Sequence, residues 1–170
     1  MAKKVVAGLK ACYAGEVGAN GAAGTDLVQI TQPYQGGVTI SGTAPTMNKF
    51  FEENKAYPEI SLPDVTSGGT EVTWEIMDFD DATLKFYFGD NASAGIPDGS
   101  FQGEKTFRFD SLAGWSLIIP RLQYVATITG TMSASEPLRI SVTGTVLAPK
   151  EGEMAIGIVP TPADDSEISD

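Results

Sequence analysis

The hydrophobic period of residues 70–89 changes partway along the segment, and this change constrains the fold more than any other feature of the sequence. In the first half, Val72, Trp74 and Ile76 alternate with polar residues. Such alternation is typical of a β-strand with one solvated face. The first half therefore predicts a strand that packs one side against a core.

The second half of the same segment has the spacing of a helix. The residues that a helix would place on one side are Leu84, Tyr87 and Phe88. Asp80 or Asp81 can cap the unpaired N–H groups at the start of such a helix, and Gly89 can adopt the left-handed conformation that ends it. We therefore predict one principal helix of about two turns within residues 80–88.

The other patterned segments are short, alternating and rich in Thr, Val and Ile, with Gly and Pro between them. This composition is typical of antiparallel strands joined by turns. We predict strands at 5–14, 26–31, 38–43, 59–62, 101–109, 115–119, 121–132 and 138–146, and an edge strand or arm at 154–159. In the first of them, Val5, Leu9 and Tyr13 are expected on one side. Pro120 is expected to end the strand that begins at Trp115.

The predicted fold class is mainly β. We expect an antiparallel two-sheet β-sandwich, or a barrel-like pair of sheets, with one short flanking α-helix. The two longest strands are expected to pair across a five-residue turn at 133–137. The residues expected to form the core are Trp74, Ile76, Leu84, Phe88, Phe107, Leu122, Tyr124, Ile128, Ile140 and Val142.

The chain length of 170 residues suits one domain with a tail. The alternating pattern fades from Pro149, and the last stretch is polar and acidic. We therefore expect a domain at 1–149, followed by a C-terminal arm and an acidic tail at 150–170. The end of this tail is expected to be disordered in an isolated subunit.

The composition argues against an enzyme. The net charge is −11, from 22 acidic and 11 basic residues, and histidine is absent. A serine or cysteine nucleophile would therefore lack its usual base, and the lone Cys12 excludes an intrachain disulfide and a multi-cysteine zinc site. The aspartates match no calcium-loop spacing. We predict no catalytic residue, no cofactor and no metal.

The N-terminus and the hydropathy favour a cytoplasmic site of synthesis. The apolar segment after Lys3 and Lys4 is too short for a signal peptide, and Lys10 interrupts it. No apolar run is long enough to cross a membrane. We therefore expect no membrane partner. Secretion with cleavage before Cys12 remains the alternative.

Residues 44–58 fit either a helical turn or an extended segment. Asn48, Asn54 and the pair Tyr57-Pro58 discourage a lasting helix, so we predict extended or irregular structure. Of the adjacent rings of Phe50 and Phe51, one is expected to point inward and the other to lie near the surface.

The order of these elements resembles that of the tail tube (major tail) proteins of long-tailed bacteriophages. The resemblance covers most of the chain, from about residue 5 to residue 149. In the first half, the matching parts are a short N-terminal strand and a Gly-rich and aromatic loop region ending near Tyr57-Pro58. They are followed by the strand–helix unit at 72–89, with Asp78-Phe79-Asp80 before the helix. In the second half, the matching parts are Leu117-Ile118-Ile119-Pro120, the strand at 122–128 and a closing segment ending in Val146-Leu147-Ala148-Pro149.

This resemblance implies a structural protein of the virion, made in the cytoplasm of the bacterial host of a phage or prophage. The family fold is a β-sandwich with one flanking helix, shared with the tube protein of type VI secretion systems. Its subunits form hexameric rings that stack into a tube and contact other tail proteins. DNA passes through the lumen without specific binding, and an acidic wall suits this because it repels phosphate.

The resemblance also implies the assembly contacts. Family members extend their sheets into neighbouring subunits and reach the next ring with a long loop, which here would be residues 32–58. The contact residues expected in this loop are Tyr34, Met47, Phe50, Phe51 and Tyr57. The alternative is that these side chains fold back onto their own domain as a satellite cluster.

Four other functions remain open at this point. A non-enzymatic ligand- or carbohydrate-binding β-sandwich would show a concave aromatic platform. A secreted adhesin-like domain would be cleaved before Cys12. Within phage particles, a head decoration protein or a tail terminator protein is the nearest competitor.

Overall fold

Strands dominate the structure, a computed structural model that describes residues 3–64, 69–92 and 100–163. The strands are β1 (Leu9–Gly15), β2 (Val28–Ile30), β3 (Val38–Thr43), β4 (Met47–Phe50), β5 (Ile60–Pro63), β6 (Gly69–Ile76), β7 (Ser100–Ser111), β8 (Trp115–Thr129), β9 (Arg139–Val146) and β10 (Gly157–Pro160). The helix α1 spans Asp81–Phe88, and two 3-10 turns span Ala19–Gly21 and Tyr34–Gly36.

Eight of these strands form one antiparallel sheet that curls into a half-barrel. Its order is β2-β1-β7-β8-β9-β6-β3, and β10 pairs with the part of β8 that β9 leaves free. The strands β4 and β5 form a separate two-stranded sheet. The predicted fold class is confirmed: the protein is mainly β, antiparallel and barrel-like, with one short helix. The second sheet is a small hairpin.

The predicted helix is confirmed at both ends. Asp80 is its N-cap, and the Asp80 carboxylate accepts a hydrogen bond of 2.7 Å from the backbone N–H of Thr83. Gly89 follows the last helical residue with φ at 91°, a value that favours glycine. Leu84, Tyr87 and Phe88 are buried, as the helical spacing predicts.

The core lies inside the curl of the sheet, beneath α1. Trp74 of β6 lies edge-on to Phe107 of β7, with 5.3 Å between ring centroids, and its indole N–H donates to the Tyr87 hydroxyl at 3.1 Å. The Tyr124 hydroxyl of β8 donates to the backbone carbonyl of Phe86 at 3.1 Å. Strand and helix are therefore joined by polar as well as apolar contacts, and the buried Tyr and Trp groups have partners.

Burial is confirmed for the predicted core residues with one exception. Ile128 is 41% exposed, although its cross-strand partner Ile140 is fully buried. Ile128 is the second-last residue of β8, and the segment after the strand is exposed. The alternating pattern thus continues beyond the part of the sheet that the core covers.

The prediction that Pro120 ends a strand is wrong, because β8 runs through it for 15 residues. On one side, Pro120 faces a register shift in β7 between Lys105 and Phe107. On the other side it lies between the stretches of β8 that pair with β10 and β9. A missing N–H is tolerated at such positions. The hydroxyl of Thr106 donates to the Pro120 carbonyl at 2.7 Å.

The predicted first strand is partly wrong. β1 begins at Leu9, so Val5 precedes it and is exposed. A bulge between Leu9 and Ala11 then reverses the alternation, so that Cys12 faces the core while Tyr13 does not. The connection between β8 and β9 is also longer than the predicted five-residue turn, since pairing stops at Thr129 and resumes at Arg139.

Candidate functional site

The most unusual surface is the segment that connects β3 to β6. Its strands β4 and β5 pair with each other and with no strand of the large sheet. Every residue from Thr39 to Pro63 is exposed. A monomer normally covers its apolar side chains, so an apolar hairpin without cover indicates a contact surface.

The hairpin has one face that is almost wholly apolar. Phe50 lies opposite Ile60, and Asn48 lies opposite Leu62. Directly paired residues share a face of the ribbon, so the rings and branches of Phe50, Ile60 and Leu62 are side by side. They are 56%, 54% and 53% exposed. We call Phe50, Ile60 and Leu62 the hairpin face.

Local hydrogen bonds build this hairpin. The backbone N–H of Glu59 donates to the Phe50 carbonyl at 2.9 Å, and that of Asp64 donates to the Thr46 carbonyl at 2.7 Å. At the tip, Lys55 forms ion pairs with Glu52 and with Glu59. The shape of the hairpin therefore does not depend on the large sheet.

The structure separates one predicted contact residue from the other four. Met47, Phe50, Phe51 and Tyr57 are all exposed on the hairpin and its tip. Tyr34 lies apart, half-buried in a 3-10 turn next to β3, where the Arg139 guanidinium is 5.6 Å from the ring centroid.

The expectation that Phe50 or Phe51 points inward is wrong. Their side chains are 56% and 55% exposed. The reason is that the hairpin projects from the large sheet and no core lies beneath either of its faces.

A second exposed apolar surface was missed by sequence reasoning. It is an open cleft of about 600 Å³ between the end of β6 and the connection from β8 to β9. We call it the end cleft; its apolar lining is Met77, Phe79, Met132, Ala134, Pro137 and Leu138. Apolar residues directly after a strand and inside a polar turn were the only signal in the sequence.

Burial keeps two titratable groups of the interior, Cys12 and Tyr124, in their neutral forms near neutral pH. Burial, with a smaller contribution from Asp110, raises the pKa of the Cys12 thiol to about 12. Burial raises the pKa of Tyr124 to about 12 as well. Neither group is therefore an activated nucleophile near neutral pH.

The buried carboxylate of Asp110 has a structural role. It accepts hydrogen bonds from Arg108 at 2.9 Å and from the Ser116 hydroxyl at 2.7 Å. The Ser116 hydroxyl also lies 2.8 Å from the Thr161 hydroxyl, which follows β10. This network fastens the C-terminal arm to the domain; the tail from residue 164 onward lies outside the described residues.

The described residues contain neither a metal-binding cluster nor a membrane-spanning helix. Across residues 3–64, 69–92 and 100–163, no group of three or more His, Cys, Asp or Glu side chains is placed to hold a metal ion. In the same ranges, no helix has both the length and the apolar character needed to span a membrane.

The exposed aromatic residues are concentrated on the hairpin. Phe50, Phe51 and Tyr57 lie on a projecting ribbon, whereas Trp74, Phe107, Phe109 and Tyr124 of the large sheet face the core. This placement suits contact with another protein surface better than stacking against a sugar in a concave site. No protein-family model matches the chain, and a search of curated proteins gives no match either.

Proposed function

We propose that this chain is the major tail tube subunit of a long-tailed bacteriophage or prophage. In this proposal, its copies form hexameric rings that stack around a channel through which DNA passes, and the tube joins other tail proteins in the virion. The observation that carries the proposal is the exposed hairpin with its apolar face. The ring number comes from the family resemblance.

The free energies of side-chain burial and of association favour an assembly with repeated contacts over a simple dimer. Full burial of a Phe, Ile or Leu side chain contributes about 1.5–3 kcal/mol, and roughly half of this remains to be gained on the hairpin face. Association costs on the order of 4–15 kcal/mol. One hairpin contact is therefore too weak by itself, whereas two rings that meet make several such contacts for a single association.

The charge of the chain suits a conduit. A net charge of −11 repels nucleic-acid phosphates, so DNA is not retained on the wall. The unreactive Cys12 thiol and the absence of histidine agree with a structural role. The protein needs no cofactor for this function.

The proposal is tested by electron microscopy of the purified protein at high concentration. We expect rings and tubes from the intact chain and no tubes after deletion of residues 48–55. The thermal melt should be unchanged, because the hairpin forms its own sheet. The control is Leu112→Ser, which removes another exposed apolar side chain and should still give tubes.

A different outcome would refute the tail tube function. If the intact protein stays monomeric at millimolar concentration and never co-purifies with phage particles, the chain does not build tubes. If the deletion variant assembles as well as the intact chain, the hairpin is not the contact.

A further inference from the structure

One asparagine of the sequence is followed by glycine, at Asn20-Gly21. An asparagine in this pair is prone to deamidation, because the glycine has no side chain to obstruct attack on the amide carbon. The other three asparagines precede a residue with a side chain: Asn48, Asn54 and Asn91. Asn20 itself is exposed to solvent. Asn20 is therefore the position at which the sequence predicts spontaneous deamidation first.

The reaction begins when the backbone nitrogen of Gly21 attacks Cγ of Asn20. A bond forms between these two atoms, the bond from Cγ to Nδ2 breaks, and ammonia leaves with the proton of the Gly21 nitrogen. Water then opens the cyclic imide at one of its two carbonyl groups. The product is aspartate, or isoaspartate in which the backbone runs through the former side chain. Both products carry one more negative charge than asparagine.

The backbone conformation of Asn20 holds the attacking nitrogen away from the amide carbon. Asn20 has φ at 58° and ψ at 25°, a left-handed conformation that asparagine tolerates. This ψ places the Gly21 nitrogen on the side of the backbone nitrogen of Asn20, whereas ring closure requires it on the side of Cβ. The Gly21 N–H also donates to the Gly18 carbonyl at 3.3 Å. The ring therefore cannot close until this turn opens.

Two hydrogen bonds tie the turn to the segment that follows β9. The Gly21 carbonyl accepts a hydrogen bond of 3.0 Å from the backbone N–H of Lys150. The Glu153 carboxylate accepts one of 3.3 Å from the backbone N–H of Ala23. We call these two hydrogen bonds the clasp. Because they join segments that are distant in the sequence, the clasp depends on the folded domain.

Arg121 of β8 packs over the clasp. Its Nη1 donates to the Ala148 carbonyl at 2.9 Å, just before Lys150. A Cβ added at Gly21 would lie only 2.9 Å from the Arg121 Cδ, so this side chain is in direct contact with the turn. Gly21 also has φ at 82°, a value that favours glycine. The glycine that makes Asn20 reactive is thus required by the turn that protects it.

We propose that Asn20 is a deamidation site which the clasp keeps unreactive, and that isoaspartate formation opens the clasp irreversibly. The reaction is confined to chains in which the turn has opened locally. Isoaspartate adds one atom to the backbone before Gly21, so the Gly21 carbonyl no longer meets the Lys150 N–H. This inference does not rest on the tail tube function, because it concerns one subunit by itself.

Peptide mass spectrometry of the full chain measures the protection. The chain is incubated at mildly alkaline pH, either folded or in concentrated urea, and the loss of Asn20 is followed with time. We expect this loss to be about tenfold slower or more in the folded chain, because it requires local opening. Asn20→Gln is the chemical control and should give no product at this position over the same time. Equal rates in the folded and unfolded chains, or no product in either, would overturn the inference.

Glu153→Ala tests whether the clasp is the protecting contact. It removes the acceptor of the Ala23 N–H and should raise the deamidation rate of the folded chain about two- to tenfold, as expected for the loss of one exposed hydrogen bond. Glu151→Ala is the matched control, since it removes the same charge from an exposed position two residues earlier. It should leave the rate unchanged, and all three chains should react alike in urea. An unchanged rate for Glu153→Ala would contradict protection by the clasp.

Hydrogen exchange tests the opening of the clasp. Deamidated chains are separated from aged folded protein by anion exchange, since they carry one more negative charge. We expect the Lys150 amide to exchange faster in these chains than in the unmodified protein. Asn20→Asp is the matched control: it has the same charge with a normal backbone and should keep the slow exchange. Equal exchange in all three proteins would show that the modification leaves the clasp closed, and fast exchange in Asn20→Asp would show that the charge alone opens it; either result would overturn the proposed opening.

Discussion

The side chain of Leu84 packs α1 against the sheet, because it is 5% exposed and belongs to the buried cluster that includes Trp74 and Phe107. Leu84→Ala should lower the free energy of unfolding by about 2–5 kcal/mol, since it leaves a cavity between helix and sheet. Urea denaturation measures this change. The control is Lys85→Ala, an exposed position on the same helix, which should change stability by less than about 0.5 kcal/mol. A loss below about 1 kcal/mol for Leu84→Ala would contradict the packing described above.

Asp80 links stability to pH through the helix N-terminus. Hydrogen bonds from the side chain and the backbone of Thr83 hold the pKa of Asp80 below its ordinary value of 3.8. A lowered pKa means that the ionised group stabilises the fold above pH 3.8, and that this contribution disappears as the pH falls through the folded-state pKa.

The Asp80 prediction is measured by thermal melts at several acidic pH values. Asp80→Ala should melt below the wild type at pH 5–7, and the difference should shrink towards about pH 2. Asp80→Asn is the matched control, because it caps without titrating; its deficit should grow with pH by the same amount as that of Asp80→Ala, but from a smaller value at about pH 2. An equal deficit for Asp80→Ala at every pH would show that the ionised carboxylate contributes nothing.

At the residue level, the sequence indicates which side of a strand faces the core but not how far the core extends. Trp74, Ile140 and Val142 are buried as predicted. Ile128 continues the same alternation and is exposed, since none of the described residues covers the end of β8. Whether the end of a strand is covered depends on elements that are distant in the sequence, so the local alternation does not show it.

At the scale of elements, α1 was predictable because its determinants are local. Spacing, the Asp80 cap and the Gly89 terminator all lie within one short segment. The full length of β8 was not predictable from the sequence. Pro120 is tolerated inside this strand because it faces a bulge in β7 on one side and, on the other, lies between the stretches that pair with β10 and β9. A proline, which would end an isolated strand, can lie within a strand where no neighbouring strand needs its N–H group.

Gly144 of β9 shows how closely the strands are packed. A Cβ placed there would lie 2.8 Å from the Leu122 side chain, which is fully buried and cannot move freely. Gly144→Ala should therefore cost about 1–3 kcal/mol of folding free energy. Gly42→Ala in β3 is the matched control, because a Cβ at Gly42 has no neighbour within 4 Å. Equal stabilities of the two variants in chemical denaturation would contradict the packing of β9 on Leu122.

At the scale of the whole molecule, the sequence identified one half of the candidate site. The residues of the aromatic hairpin are contiguous in the chain, so the composition of this segment was enough to predict it as a contact surface. The end cleft combines Met77 with Met132, residues that come together only because β6 and β9 are neighbours in the sheet. Only the topology brings them into one surface.

Salt should promote assembly of the whole molecule. Each subunit carries a net charge of −11, so neighbouring subunits repel one another over about 30 Å at 0.01 M ionic strength and over only about 10 Å at 0.1 M. The apolar contacts of the hairpin face persist in salt. We therefore expect the concentration at which tubes form to fall several-fold over this range, as measured by light scattering at constant pH. The deletion of residues 48–55 is the control and should form no tubes in either buffer. Tubes that dissolve as sodium chloride is added would mean that attraction between opposite charges, and not burial of the hairpin face, holds the subunits together.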